Sequence, residues 1–392
     1  MRFTPRLLAC FRVPATSPRV PDFARTADTP VVQRWPHRRL VIIRRDTELS
    51  AYDLDRLIAG DHSPAASFPA PWPRRAGGLD AVSPALDLAV FSGQHALHAV
   101  DPAGGLRWRV RHACWAPTCL SYHDSYEEYA DRKDHRYPDQ GSCWISADAS
   151  KVWAHVRTAL PDDVEVKLDE EWLVLDAVDG RIRGRASTDT AAAGSHHIPH
   201  PDPDQMGLSV GEGQDGVPLR WGRWDGTRLT VTGIGDDDRC LIDVSPTGRL
   251  LLTVAHQRND LAIHRLPEGA VTHRVPAPGE PADAWDFESG FIDEHTAMGS
   301  TGDARNPQRW LIDTSHGNVL GEVTYPSAVL ECPKPLGDGT WPTCGDDRLI
   351  NWNANHLRRR QEGLNPCPRS KRMCIADVEA SRTVSVTSQG AG

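Results

Sequence analysis

One phrase recurs along this chain and limits its fold more than any other property. An apolar strand ends near Asp, a short turn follows, then Gly and another strand. The phrase runs from Ala51-Tyr52-Asp53 to Gly60, from Leu97-His98-Ala99-Val100-Asp101 to Gly104, and from Trp172-Leu173-Val174-Leu175-Asp176 to Gly180. It returns from Leu219 through Trp224-Asp225 to Gly226, from Leu261-Ala262-Ile263-His264 to Gly269, and from Trp310-Leu311-Ile312-Asp313 to Gly317. A last copy, Leu349-Ile350-Asn351-Trp352-Asn353, lacks the glycine. The glycines are spaced 44, 76, 46, 43 and 48 residues apart, and the long interval falls to 46 once a polar insertion over about 111–140 is set aside. Four strands of about five to six residues plus their turns consume such a period. Gly supplies positive φ at the turn and Asp closes it through its side chain.

A unit this small cannot bury its own faces, so copies must stack. The expected fold is all-β, a single β-propeller of about seven four-stranded blades with one polar insertion and irregular termini. Apolar runs such as Leu250-Leu251-Leu252-Thr253-Val254 suit strands covered by neighbours on both faces. A chain of 392 residues exceeds the usual size of one domain, but a ring grows sideways and needs no second core. The boundaries expected are an irregular Pro/Arg-rich leader over 1–36, the propeller over 37–355, and a basic, flexible tail over 356–392. Ring closure needs a strand from one terminus, and residues 38–45 are the expected source.

Within this frame the chain resembles the WD40 superfamily. Asp243-Val244-Ser245-Pro246-Thr247-Gly248-Arg249-Leu250-Leu251-Leu252-Thr253 resembles that family's first two strands around a Ser-Pro-x-Gly turn. Thr343-Cys344-Gly345-Asp346-Asp347-Arg348-Leu349-Ile350-Asn351-Trp352-Asn353 resembles its second turn and third strand, with Asn in place of the Asp of the Trp-Asp pair. Met206 to Asp225 repeats the pattern, with Trp221 six residues after Asp215 as Trp352 is six after Asp346. The resemblance covers roughly 38–353 and is strongest in three blades. It implies that such an Asp and Trp share a structural hydrogen-bond network, and that the protein is a scaffold for protein or peptide partners. A quinoprotein-like propeller would give a similar text.

Charge narrows the partners. The net charge is −9, yet residues 1–45 carry ten Arg against two Asp and residues 356–392 carry seven basic groups against three acidic, which leaves the body near −21. Such a body repels phosphate backbones, so nucleic acid is not the expected partner. No stretch approaches the ~18 apolar residues of a membrane helix. Leu7-Leu8-Ala9-Cys10 resembles a lipoprotein cleavage box, but its apolar run is shorter than the roughly 7–15 residues of a secretory signal. Nine scattered cysteines fit reduced thiols, and the expected location is cytoplasmic. The closest groupings, Cys114/Cys119 and Cys367/Cys374, lack the two-residue spacer of a zinc knuckle, so they are expected to pack rather than ligate.

Three segments could carry chemistry. His196, His197, His200 and Asp202, in Ser195-His196-His197-Ile198-Pro199-His200-Pro201-Asp202-Pro203-Asp204, could hold a divalent metal at the channel mouth; the expected role is a structural link between blades. Gly211-Glu212-Gly213-Gln214-Asp215-Gly216 is glycine-rich, but its acids and the missing Lys-Ser/Thr make it a turn. Tyr122, Tyr126 and Tyr129 stand at i, i+4 and i+7, which aligns them on one face of a short helix, and Tyr137 follows. Tyrosine gives large contact area at low entropy cost, so these four are the expected partner-binding residues, although the same face could cap the rim. Gly-x-Ser-x-Gly and His-Glu-x-x-His are absent. The expected function is a non-catalytic binding scaffold without cofactor. The alternative is a metal-dependent or quinoprotein/lactonase-like propeller enzyme using the His/Asp loop.

Overall fold

The computed structural model describes residues 1–12, 27–158, 169–235, 238–278, 284–302, 306–327, 329, 332–344 and 348–354. Seven antiparallel meanders are arranged in a ring. Blade 1 comprises Val31–Trp35, Arg38–Arg44, Glu48–Asp53 and Ala66–Pro69; blade 2 comprises Ala81–Val82, Ala89–Ser92, Ala96–Val100 and Leu106–Arg111. Blade 3 is built from Ser142–Ile145, Lys151–Arg157, Glu170–Asp176 and Ile182–Ser187, and blade 4 from Gly194–Pro199, Gln205–Gly211, Leu219–Trp224 and Leu229–Gly233. Blade 5 holds Arg239–Val244, Leu250–Ala255, Asp260–Arg265 and Ala270–Pro276; blade 6 holds Gly290–Asp293, Thr296–Thr301, Gln308–Asp313 and Asn318–Val323. In blade 7, Cys332–Pro333, Thr340–Cys344 and Arg348–Asn353 supply the three inner strands, and Arg6–Arg12 supplies the outermost.

The periodic glycines are equivalent. Gly60, Gly104, Gly180, Gly226, Gly269 and Gly317 each lie between the third and fourth strands of a blade, and each has φ between 65° and 96°. The preceding aspartates close these turns. Asp101 accepts the Gly105 N–H at 2.8 Å, Asp176 that of Val178 at 2.8 Å, and Asp225 that of Arg228 at 2.7 Å. The seventh copy has no glycine because it has no such turn: its fourth strand comes from the other end of the chain.

Two boundary expectations change. Residues 1–36 are not uniformly irregular. Arg2–Phe3 pairs in parallel with the outer strand of blade 6, Arg6–Arg12 pairs with Arg348–Asn353, and Val31–Trp35 opens blade 1. The closing strand is therefore Arg6–Arg12, whereas 38–45 is mostly the second strand of blade 1. Pro5 and Pro14 bracket a seven-residue strand whose partner lies some 340 positions away, so local pattern could not pair it. The tail over 356–392 lies outside the described residues, as does Asp346.

The core is divided among the seams. Each pair of neighbouring blades shares its own apolar cluster, from Trp35, Phe68 and Phe91 between blades 1 and 2 to Phe11, Val41 and Leu349 between blades 7 and 1. Trp172 and Trp352 are buried in these seams, as their place in the strand phrase predicts, and so is Trp221, whereas Trp310 of the same phrase is half-buried against the cluster between blades 5 and 6. Trp221 does not meet Asp215, however. Its indole N–H donates to Gln205 Oε1 at 3.2 Å, and that of Trp352 donates to Thr343 Oγ1 at 3.0 Å.

Candidate functional site

The insertion joins the outer strand of blade 2 to the inner strand of blade 3 and spans residues 112–141. It lies on the face formed by turns between second and third strands. Its backbone is tied to three blades: His112 N donates to His95 O at 3.0 Å, Ala113 N to Thr158 O at 3.1 Å, and Gln140 N to Ala193 O at 3.2 Å. Arg157 fastens both of its ends. The guanidinium donates to the carbonyls of Cys114 at 3.0 Å and Ala116 at 3.3 Å, pairs with Asp139 at 2.9 Å, and lies over the Trp115 ring.

The expected helix does not form. Tyr126–Glu128 and Lys133–His135 are single 3-10 turns, so no i, i+4, i+7 stripe exists. Tyr129 is 2% exposed: its hydroxyl meets His95 Nδ1 at 2.7 Å and its ring stacks on His135. Tyr122 and Tyr126 are half-buried, the latter against the cluster between blades 1 and 2. Tyr137 alone of the four presents its ring to solvent, and Leu120 of the same insertion is exposed as well.

At the centre of this segment Cys114, Cys119, His123 and His135 converge, all buried, with one potential ligand atom from each within 4.8 Å of the others. Among the described residues this is the one such group. Cys119 Sγ lies 3.4 Å from His123 Nε2, which lies 3.2 Å from His135 Nε2. The outward nitrogens face carboxylates: His123 Nδ1 is 3.1 Å from Glu128 Oε2, and His135 Nδ1 is 2.9 Å from Asp134 Oδ1. The Asp124 N–H and His123 hold the Glu128 carboxyl below its usual range, and Arg132 and His135 do the same for Asp134. Burial pushes the Cys114 thiol up to about 12. The expectation that Cys114 and Cys119 simply pack overlooked the two histidines in the same insertion. The C-x4-C-x3-H-x11-H spacing is not a familiar knuckle, and co-location with acids beside both imidazoles was the available signal.

His196, His197, His200 and Asp202 do not converge. His196 Nε2 meets the Leu241 carbonyl at 3.2 Å across the next seam. His197 Nε2 accepts the Trp172 indole N–H at 2.9 Å while its Nδ1 meets Ser142 Oγ at 2.9 Å. His200 Nδ1 accepts the Asp202 N–H at 3.0 Å, and its Nε2 donates to Gly248 O at 3.0 Å. Asp202 itself accepts from Asp204 N and Gln205 Nε2. Burial holds all three imidazoles below their ordinary value, so they sit neutral and occupied in the hydrogen bonds of the seams.

Two other features bear on chemistry. His155 Nδ1 meets Ser195 Oγ at 2.9 Å and His155 Nε2 lies 3.3 Å from Glu170, which places Ser, His and an acid in contact. The imidazole and the carboxylate are 0% and 2% exposed, so this trio braces the seam between blades 3 and 4. On the opposite face, turns between first and second strands surround a cleft of about 440 Å³, lined by Arg34, Arg39, Pro199, His200, Pro246 and Asp338 among others. Its guanidiniums are paired: Arg34 with Asp243, Arg38 with Asp53 at 3.0 Å, and Arg39 with Asp55 and Asp338. The Gly211–Gly216 segment is a tight turn, closed by the Glu212 N–H on Gly216 O at 3.0 Å.

No protein-family model matches this chain, and no curated protein matches it. Among solved structures, the β-propeller domain of Cps50 (Swd1) from Myceliophteria thermophila aligns with a TM-score of 0.53 at 12% identity, over 89% of this chain and 99% of that one. Dihydro-heme d1 dehydrogenase NirN in complex with DHE aligns at 0.46 and 15% identity, over 86% of this chain and 63% of that one. The Dos1 propeller aligns at 0.47 and 10% identity, over 80% and 75% respectively. The last two are too distant to carry an argument. The first shows the fold alone, and with the seven sheets it makes this chain a β-propeller of seven blades.

Proposed function

We propose that this chain is a non-catalytic binding scaffold that engages a protein or peptide partner through the outer surface of the 112–141 insertion. The observation that carries the reading is the exposure of Leu120 and Tyr137, 63% and 78%, on a segment whose backbone is tied to three blades. Apolar and aromatic groups on a braced loop lose little conformational freedom on binding and exclude water from the contact. Asp124, Glu127 and Asp131 are exposed on the same insertion and favour a partner with basic groups. The acidic body speaks against nucleic acid, and the scattered thiols favour the cytoplasm as the place of action. The engaged histidines at 196, 197 and 200 give the enzyme alternative no support.

Affinity capture with full-length protein tests the reading. The double substitution Leu120→Asp/Tyr137→Asp touches exposed positions, so the fold is retained while capture of the native partner falls at least tenfold. Undiminished recovery of the same partners by the double variant would show that the insertion is not the contact surface.

A further inference from the structure

We propose that Cys114, Cys119, His123 and His135 bind one zinc ion in a closed, structural site that sets the shape of the insertion. Three independent features of the geometry point there.

The first is spacing. Tetrahedral zinc with bonds of about 2.0–2.1 Å to nitrogen and about 2.3 Å to sulfur sets edges of about 3.3 Å between two nitrogens and about 3.5 Å between nitrogen and sulfur. The Nε2···Nε2 and Sγ···Nε2 separations of 3.2 and 3.4 Å match those edges. Those two edges fit atoms around a common centre, and all four ligand atoms lie within 4.8 Å of one another.

The second is the histidine tautomers. A carboxylate only accepts, so Glu128 and Asp134 keep the protons of His123 and His135 on Nδ1. Each neutral ring then directs a bare Nε2 lone pair inward, and the two lone pairs face one another at 3.2 Å. A cation between them turns that repulsion into ligation. Carboxylates on the far nitrogen are also what orient metal-bound imidazoles and raise their basicity.

The third is charge. Each thiol gives up its proton to solvent on binding, so two thiolates and two neutral imidazoles around Zn²⁺ form a centre of zero net charge. Such a centre tolerates the burial these four side chains have, at 0–6% exposure. The Ala116 N–H points at Cys114 Sγ at 3.4 Å, which stabilises a thiolate there. Two sulfurs and two nitrogens in a tetrahedron select zinc over hard cations, and four protein ligands leave no open position for substrate. The role is structural.

The consequence is local. The sheets draw on seven seam clusters, whereas the insertion holds only the small buried group of Cys114, Ala116 and Cys119 for itself. The ion supplies what that group lacks.

The test is elemental analysis of the purified full-length protein after exposure to zinc and gel filtration. We expect one zinc per chain in the parent and in a Cys240→Ser control. In Cys119→Ser and in His135→Ala the content falls at least tenfold. Asp134→Asn alters only an exposed residue that hydrogen-bonds a ligand, and it weakens zinc in competition with a chromogenic chelator by about 10–100-fold. Cobalt loaded in place of zinc gives the visible bands of a tetrahedral ion and thiolate-to-cobalt charge transfer, which reads the ligand set without any variant. Metal-free parent protein with Cys114 and Cys119 joined as a disulfide overturns the proposal. So does zinc that persists undiminished in both ligand variants, or cobalt spectra without thiolate bands.

Discussion

Trp172 and His197 meet across the seam between blades 3 and 4, where the indole N–H donates to His197 Nε2 at 2.9 Å with both residues buried. The ring's other nitrogen meets Ser142, so one imidazole links the third strand of one blade to two inner strands. His197→Ala opens a cavity and strands the indole donor, which costs about 2–4 kcal/mol. Urea unfolding of the variant measures this. A loss below about 1 kcal/mol, the size of a surface effect, contradicts a structural role.

Buried histidines make the fold sensitive to acid. Burial lowers His98 to about 4, with His95 and Arg109 adding to the effect, and also lowers His196, His197 and His200. Unfolded, each titrates near 6.5, so between that value and the lower folded one the unfolded chain binds more protons. Their contribution is complete above about pH 6.5 and is lost as pH falls, at up to about 1.4 kcal/mol per pH unit for each. Asp80, raised to about 6 by burial against the pull of Arg44, and Asp243, raised likewise, act in the opposite sense. These histidines, joined by His95 and His112, which burial lowers likewise, outweigh the raised carboxyls of Asp80, Asp139 and Asp243. The urea midpoint should drop between pH 7.5 and 5.5, and an equal or higher midpoint at 5.5 refutes the assignment.

Asp80 lies between blades 1 and 2 and pairs with Arg44 at 2.9 Å, both side chains 8% exposed. Asp80→Ala leaves a buried guanidinium without its charge partner and costs about 3–5 kcal/mol. The double change Asp80→Ala/Arg44→Met removes both charges and should recover part of that loss in denaturant titrations. No recovery indicates that the carboxylate acts through its bond to Ser92 rather than through the pair.

Arg157→Lys keeps the charge but not the planar fork that reaches two carbonyls and Asp139. The ends of the insertion then open more often while the seams stay packed. Chymotrypsin cleavage within 112–141 should accelerate about tenfold, the equivalent of ~1.4 kcal/mol of local opening, with little change in the global midpoint. Equal cleavage rates rule out a fastening role for this side chain.

Phe11 is 3% exposed and packs against Val41, Leu54 and Leu349 where the ring shuts. Phe11→Ala should cost about 3–5 kcal/mol, as a core truncation does, although the residue lies near the chain start. Differential scanning calorimetry decides whether this position behaves as core or as terminus.

Local turn chemistry was legible in the sequence; distant pairing was not. Six glycines, and the aspartates before five of them, announce themselves because a turn needs positive φ and is closed by a side-chain acceptor within a few residues. The missing seventh glycine was visible too, and its cause, a fourth strand borrowed from Arg6–Arg12, was the piece that no local pattern could supply. The tyrosine stripe misled because i, i+4 and i+7 spacing presupposes a helix, while residues 112–141 are organised around Cys114, Cys119, His123 and His135. The histidines at 196, 197 and 200 stand in hydrogen bonds to Leu241, Trp172 and Gly248. The convergence of His123 and His135 with the two cysteines was hidden by an unfamiliar spacing.

The pairing of Ala9 with Asn351 has a consequence for how the molecule is made. On the ribosome the segment that shuts the ring emerges before the seven blades' other strands, and its partner emerges some 340 residues later. Early blades can form while translation continues, but the first strand must wait in the open, kept from wrong edges, until the last blade is released.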